Sequence, residues 1–103
     1  MHVVLAATLL CACHSAPDKT AHAKRQVAIK QMQFQPAELI IHAGDTVEWI
    51  NEDMVDHDVT DENNKSWHSG ELKKGESWQK VVAKTTSYYC SLHVVMKAKL
   101  VVK

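Results

Sequence analysis

Residues 43–51 read Ala-Gly-Asp-Thr-Val-Glu-Trp-Ile-Asn. The first three form a turn, and the rest alternates, with Val47 and Trp49 on one face and Thr46 and Glu48 on the other. A period of two with apolar residues on one face predicts a half-buried strand. The same rhythm extends outward in both directions. Upstream, VAIKQMQF (27–34) sets Val27 and Ile29 in one phase and Met32 and Phe34 in the other, which predicts a slip or bulge near Lys30-Gln31. Pro36 interrupts, and ELIIH (38–42) resumes. Downstream, DENNK (61–65) is a polar loop and Lys73-Lys74-Gly75-Glu76 a second turn, while SWQKVV (77–82), SYYC (87–90) and KAKLVVK (97–103) read as further strands. No segment keeps a 3.6-residue apolar period long enough for a helix. About seven to eight short strands in one small domain predict an all-β protein, a small sandwich with Trp49, Trp67 and Trp78 supplying bulk to its core.

With 103 residues, 46% of them hydrophobic and 23% charged, the chain has room for one domain and one core. Twelve basic residues balance twelve acidic ones, so no net field draws it to nucleic acid or an anionic bilayer. Residues 3–12, VVLAATLLCA, are apolar but too short to span a bilayer. They read as an export signal, and Leu10-Cys11-Ala12-Cys13 resembles a bacterial lipoprotein box that would place a lipid on Cys13. Residues 1–13 are thus assigned to the signal, 14–26 to a polar tether and 27–103 to the folded domain. The expected location is the periplasm or cell envelope, with a lipid anchor at Cys13.

Removing the signal and lipidating Cys13 leaves Cys90 as the free thiol in an oxidising compartment. A buried, inert cysteine is the ordinary reading of such a residue. Its neighbours point elsewhere: Tyr-Tyr-Cys-Ser-Leu-His-Val-Val-Met (88–96) follows the thiol with an imidazole at His93 and a thioether at Met96. Because Cys90 ends one strand and Lys97 begins the next, His93 and Met96 are expected on the connecting loop, at one end of the sandwich. A fourth donor must come from elsewhere. His2, His14 and His22 fall in the signal or tether, and His42 lies beside a turn. His57, where a strand restarts after a short loop, is the better candidate, while His68 reads as a solvent-exposed loop histidine. Two imidazoles and a thiolate with a weak axial thioether suit copper in both oxidation states, whereas zinc prefers a thiolate, imidazole or carboxylate as its fourth ligand.

At these residues the sequence resembles the cupredoxins, the small blue copper proteins, and among them the plastocyanin, amicyanin and pseudoazurin group. The resemblance covers residues 27–103 and rests on FQPAELIIHAGDTVEWINED, His57, SGELKKGESW and YYCSLHVVMKAKLVVK, the last carrying the short Cys-x-x-His-x-x-Met loop of amicyanin. It implies a Greek-key β-sandwich with one type 1 copper held by His57, Cys90, His93 and axial Met96. A binuclear copper centre would need a cysteine at position 86, which is threonine. The chain departs from the family at Asp56, where a proline is common, at Asp58, where Asn or Thr is common, and at Val94, another usual proline. Ala98 replaces a frequent glycine. A carboxylate at Asp58 cannot donate the side-chain hydrogen bond that ties the ligand loops in plastocyanin.

The run from Glu52 to Glu62 holds Glu52, Asp53, Asp56, Asp58, Asp61 and Glu62 with no basic residue among them. It reads either as a docking face for a basic redox partner or as a solvated loop. The function expected is a monomeric one-electron carrier of the bacterial envelope, working between a donor and an acceptor protein. The alternative is an envelope protein that sequesters or delivers copper without cycling it. An enzyme is not expected, since four protein ligands leave no open position and no nucleophile, base or phosphate loop stands elsewhere.

Overall fold

The structure, a computed structural model, describes residues 2–3 and 22–103. The expected signal and the lipid site at Cys13 lie largely outside the described residues, as does the tether up to residue 21. Among the described residues eight strands follow in order: β1 (Lys24–Lys30), β2 (Gln33–Gln35), β3 (Glu38–Ile41), β4 (Asp45–Asn51), β5 (Thr60–Asp61), β6 (Ser77–Val82), β7 (Thr86–Cys90) and β8 (His93–Val102). They form two four-stranded sheets, ordered β2-β1-β4-β6 and β3-β8-β7-β5. The all-β sandwich expected from the alternation is the fold observed.

The phase change near Lys30-Gln31 is a hairpin turn rather than a bulge within one strand. Gln31 and Met32 both take positive φ, 54° and 57°, and β2 returns antiparallel to β1. Two residues at positive φ match the right-handed twist of the paired strands, so the chain reverses without splaying them. β1 also begins at Lys24, three residues inside the stretch assigned to the tether, because Lys24, Arg25 and Gln26 pair in parallel with Thr46, Val47 and Glu48 of β4.

β4 is the central element. Its odd-numbered residues, Asp45 through Asn51, are all buried while the even ones are half-buried, as the period of two requires. Trp49 is fully buried and meets Trp78 at 5.5 Å, Trp67 at 6.4 Å and Tyr88 edge-on at 5.4 Å. Trp67 and Trp78 are only partly buried and close the flank of this cluster. Val27, Ile29, Phe34, Ile41, Val47 and Leu100 fill the space between the sheets.

Candidate metal centre

Three segments converge at one end of the sandwich. β7 delivers Cys90, fully buried as its last residue. The chain then turns through Ser91-Leu92, and β8 begins at once with His93, paired to Cys90. His93 and Met96 therefore stand on a strand and not on a connecting loop as expected. Between the pairs Cys90–His93 and Tyr89–Lys97 the register breaks, one step along β7 matching four along β8. The extra residues Val94, Val95 and Met96 bulge from the ladder, and the bulge turns Met96 into the interior while Val94 and Val95 face solvent.

His57 arrives from the loop after β4. Asn51 builds that loop: its side-chain amide donates to Val55 O at 2.9 Å and Leu72 O at 2.7 Å, and its carbonyl accepts the Asp53 N–H at 2.9 Å. His57 then exchanges two backbone hydrogen bonds with Leu72, 3.1 and 2.7 Å long. These fix a fully buried imidazole beside the thiol.

His57 Nδ1 and His93 Nδ1 each lie 3.7 Å from Cys90 Sγ, with the two rings 4.9 Å apart. One donor atom from each of the three residues lies within 4.8 Å of the others. A single ion bound trigonally at ordinary metal–nitrogen and metal–sulfur lengths would place sulfur and nitrogen about 3.8 Å apart, so the spacing fits one ion. The chemistry of the donors fits as well. His57 Nε2 lies 2.8 Å from Asp53 Oδ2, and since a carboxylate only accepts, the ring proton sits on Nε2 and leaves the Nδ1 lone pair free for a metal. Asp53 also accepts the Gln31 and Met32 amides at 2.8 and 3.0 Å, which ties the β1–β2 turn to the site. Burial pushes the Asp53 carboxyl up, but the Met32 amide, His57 and the Gln31 amide together outweigh it and hold the group below the usual range.

Residues 21–103 match the copper-binding proteins of the plastocyanin/azurin family. The chain belongs to this family. It is a cupredoxin. Amicyanin from Paracoccus denitrificans is 31% identical over 83 residues, covering 75% of this chain and 63% of amicyanin, so the chain spans less than two thirds of that relative's length. An amicyanin variant solved as Cu(I) superposes with a TM-score of 0.71 at 27% identity, over 78% of this chain and 82% of that one. A purple cupredoxin from Nitrosopumilus maritimus shares the fold, with a TM-score of 0.70 at 24% identity over 77% of this chain and 99% of that one. A copper-containing nitrite reductase from Thermus scotoductus SA-01 matches over 78% of this chain but only 22% of its own, with a TM-score of 0.71 at 26% identity. One copper ion is thus the cofactor of this cupredoxin, and the spacing and donor chemistry of His57, Cys90 and His93 fit it.

The departures in sequence have structural outcomes. Asp58 does not point to solvent: it is buried, its amide donates to Cys90 Sγ at 3.4 Å, and its carboxylate accepts the Ser91 N–H at 2.7 Å and the Ser91 hydroxyl. The two ligand segments are therefore tied together with Asp58 as acceptor and Ser91 as donor, which answers the missing donor noted in the sequence. The acidic run does not form a continuous docking face. Asp53, Asp58 and Asp61 spend their carboxylates on internal hydrogen bonds, and Glu62 pairs with Lys97 at 2.9 Å. What the site end of the cupredoxin presents is apolar: Leu92, Val94 and Val95 flank half-buried His93, and Met54 and Val55 are exposed just before His57. Sequence reasoning missed Asn51, Asp53 and Ser91 as parts of the site, as well as Thr60, whose hydroxyl lies 3.0 Å from the Asp58 carboxylate. A hydroxyl beside Cys90 and a carboxylate four residues before His57 were the available signals.

Proposed function

We propose that this cupredoxin is a one-electron carrier of the bacterial cell envelope, and that His57, Cys90, His93 and Met96 would hold its copper. The observation that carries the reading is the pair of imidazole Nδ1 atoms, each 3.7 Å from a buried thiol sulfur, with the proton of His57 directed away to Asp53. Met96 is supported by its burial on the bulge of β8, three residues beyond His93. When bound, copper supplies a Cu(I)/Cu(II) couple whose preferred geometries this mixed donor set reconciles. The protein's part is to keep the donors still. The Asn51 hydrogen bonds and the His57–Leu72 bridge hold the His57 segment, and the Asp58–Ser91 tie fixes it to the Cys90–His93 turn, so little needs to move when charge changes.

Electrons are proposed to enter and leave at the half-buried His93 edge. Its apolar rim of Leu92, Val94 and Val95 can be dehydrated against a partner protein at low cost. No enzymatic step is proposed, because four protein ligands leave no place for substrate. The nitrite reductase likeness concerns a domain-sized part of that chain. Envelope location and a lipid on Cys13 are parts of the same reading, supported by the signal-like residues 3–12, and the carrier is proposed to act as a monomer.

Voltammetry and electron self-exchange of the copper-loaded protein distinguish the carrier from a protein that sequesters or delivers copper. A reversible one-electron wave with fast self-exchange is expected. Irreversible reduction, with Cu(I) passing readily to a chelating partner, would favour delivery and contradict the carrier.

A further inference from the structure

A file of polar groups runs from the buried sulfur to solvent. It begins with the Asp58 amide on Cys90 Sγ. The Asp58 carboxylate, which also holds Ser91, lies 3.0 Å from Thr60 Oγ1, and Thr60 Oγ1 lies 2.7 Å from His68 Nδ1. Asp58 and Thr60 are buried, while His68 is exposed. Counting protons fixes the direction of the file. A carboxylate accepts, and Thr60 has one hydroxyl proton, so Thr60 donates to Asp58 and accepts from His68 Nδ1–H. His68 then takes up its second proton at Nε2.

The ring is not free to swing away. Thr60 and His68 form a backbone bridge, and on either side the Asp61 N–H bonds to Trp67 O at 3.0 Å and the Ser69 N–H to Val59 O at 2.9 Å. The Ser69 hydroxyl accepts the Val59 N–H at 2.8 Å. The segment is thus stitched to β5 and its approach, with the imidazole seated over Thr60.

We propose that His68 is a positioning residue for the copper site and that its protonation is linked to the electron. The inference rests on the reading of Cys90 as a copper ligand. A cation at His68 strengthens its bond to Thr60, polarises the Thr60–Asp58 bond and offsets the Asp58 charge beside the sulfur. Each effect favours the reduced site. Reduction by one electron from the donor protein therefore draws a fraction of a proton from water onto Nε2, and oxidation returns it. By linkage, the reduced protein holds the His68 proton more tightly than the oxidised one, by the same free energy with which that proton raises the reduction potential, so the potential falls as pH rises. The ionisable groups on the bordering elements are Asp58 and Asp61 on the Thr60 side, Glu71 beyond the Gly70 turn, Tyr89 paired with Thr60 on β7, and Lys97 with its partner Glu62 across β7. Among the described residues, none of them forms an ion pair with His68.

The test compares the wild-type full chain with His68→Gln, Thr60→Val and, as a control at the β3–β4 turn, His42→Gln. In copper-loaded protein the potential is measured from about pH 5 to 8. The wild type and His42→Gln are expected to share a falling profile. His68→Gln and Thr60→Val should lose the His68 part of it, with His68→Gln lying near the wild-type high-pH value. In copper-free protein, NMR should show the Asp58 and Ser91 amides shifting with the His68 ring, and that shared step should vanish in Thr60→Val. A His68→Gln profile that overlays the wild type, or amides that ignore His68 in the wild type, would overturn the proposal. Absence of a blue copper spectrum would count against the copper reading instead, and the copper-free titration would still decide whether the relay exists.

Discussion

Asp58 shows how one residue can depart from its family and keep the local architecture. The buried carboxylate receives both Ser91 donors and Thr60, so it binds the two ligand segments together while adding a negative charge near the sulfur. At the proposed copper site that charge would favour Cu(II). Asp58→Asn preserves an acceptor for the Ser91 amide and removes the charge, and should raise the reduction potential by the equivalent of roughly 1 kcal/mol, about 40 mV. Voltammetry checks this, and an unchanged or lower potential would count against it. Asp53 acts on His57 instead, by holding the ring proton on Nε2. Removing that partner in Asp53→Ala should weaken copper affinity by about 10–100-fold. Competition with a chelator measures the loss, and an affinity equal to wild type would show that the ring needs no such anchor.

Among the elements, the loop after β5 is held by a single side chain. Asp61 accepts the amides of Asn63, Asn64 and Ser66 at 3.2–3.3 Å and the Ser66 hydroxyl at 2.7 Å. The Ser66 hydroxyl leads these donors, and together they overcome the cost of burial and bring the Asp61 carboxyl down from 3.8 to about 2. A depressed folded-state pKa contributes stability that is full above the unfolded value and disappears as pH falls through the folded one. Acid should therefore destabilise the wild type between about pH 4 and 2, partly through this loop. Asp61→Asn should melt lower at neutral pH and lose less on acidification. Thermal melts across that range test the claim, and parallel losses in the two proteins would refute it. The strand that follows this loop, β6, was visible in the alternation, whereas the strand expected to restart at His57 is confined to Thr60 and Asp61 as β5, His57 itself making only an isolated bridge to Leu72. Two residues are too few to show a period, and β5 exists because Thr60 and Asp61 pair with Tyr89 and Tyr88.

Across the whole molecule, the sequence disclosed what local chemistry controls. Period-two runs around Trp49 mark strands wherever one face must be dry, and Cys90, His93 and Met96 stand out because soft donors seldom crowd so closely. The parallel pairings of β1 with β4 and β3 with β8 left no such mark, since a strand's own pattern does not name its neighbour. The same holds for the supports of the site: Asp53 meets the Met32 amide, and Asp58 meets Ser91, only after the sheets have assembled. The three-residue bulge that turns Met96 inward likewise depends on how β7 and β8 register. The proposed copper centre depends on the sandwich bringing His57 from one loop to the Cys90–His93 hairpin so that three donors share one ion. Adding Cu(II) to the copper-free full chain and recording its visible spectrum tests this directly. An intense blue charge-transfer band is expected in the wild type, absent in Cys90→Ser and strongly weakened in His57→Ala. A colourless product, or a band that survives loss of the thiol, would contradict it.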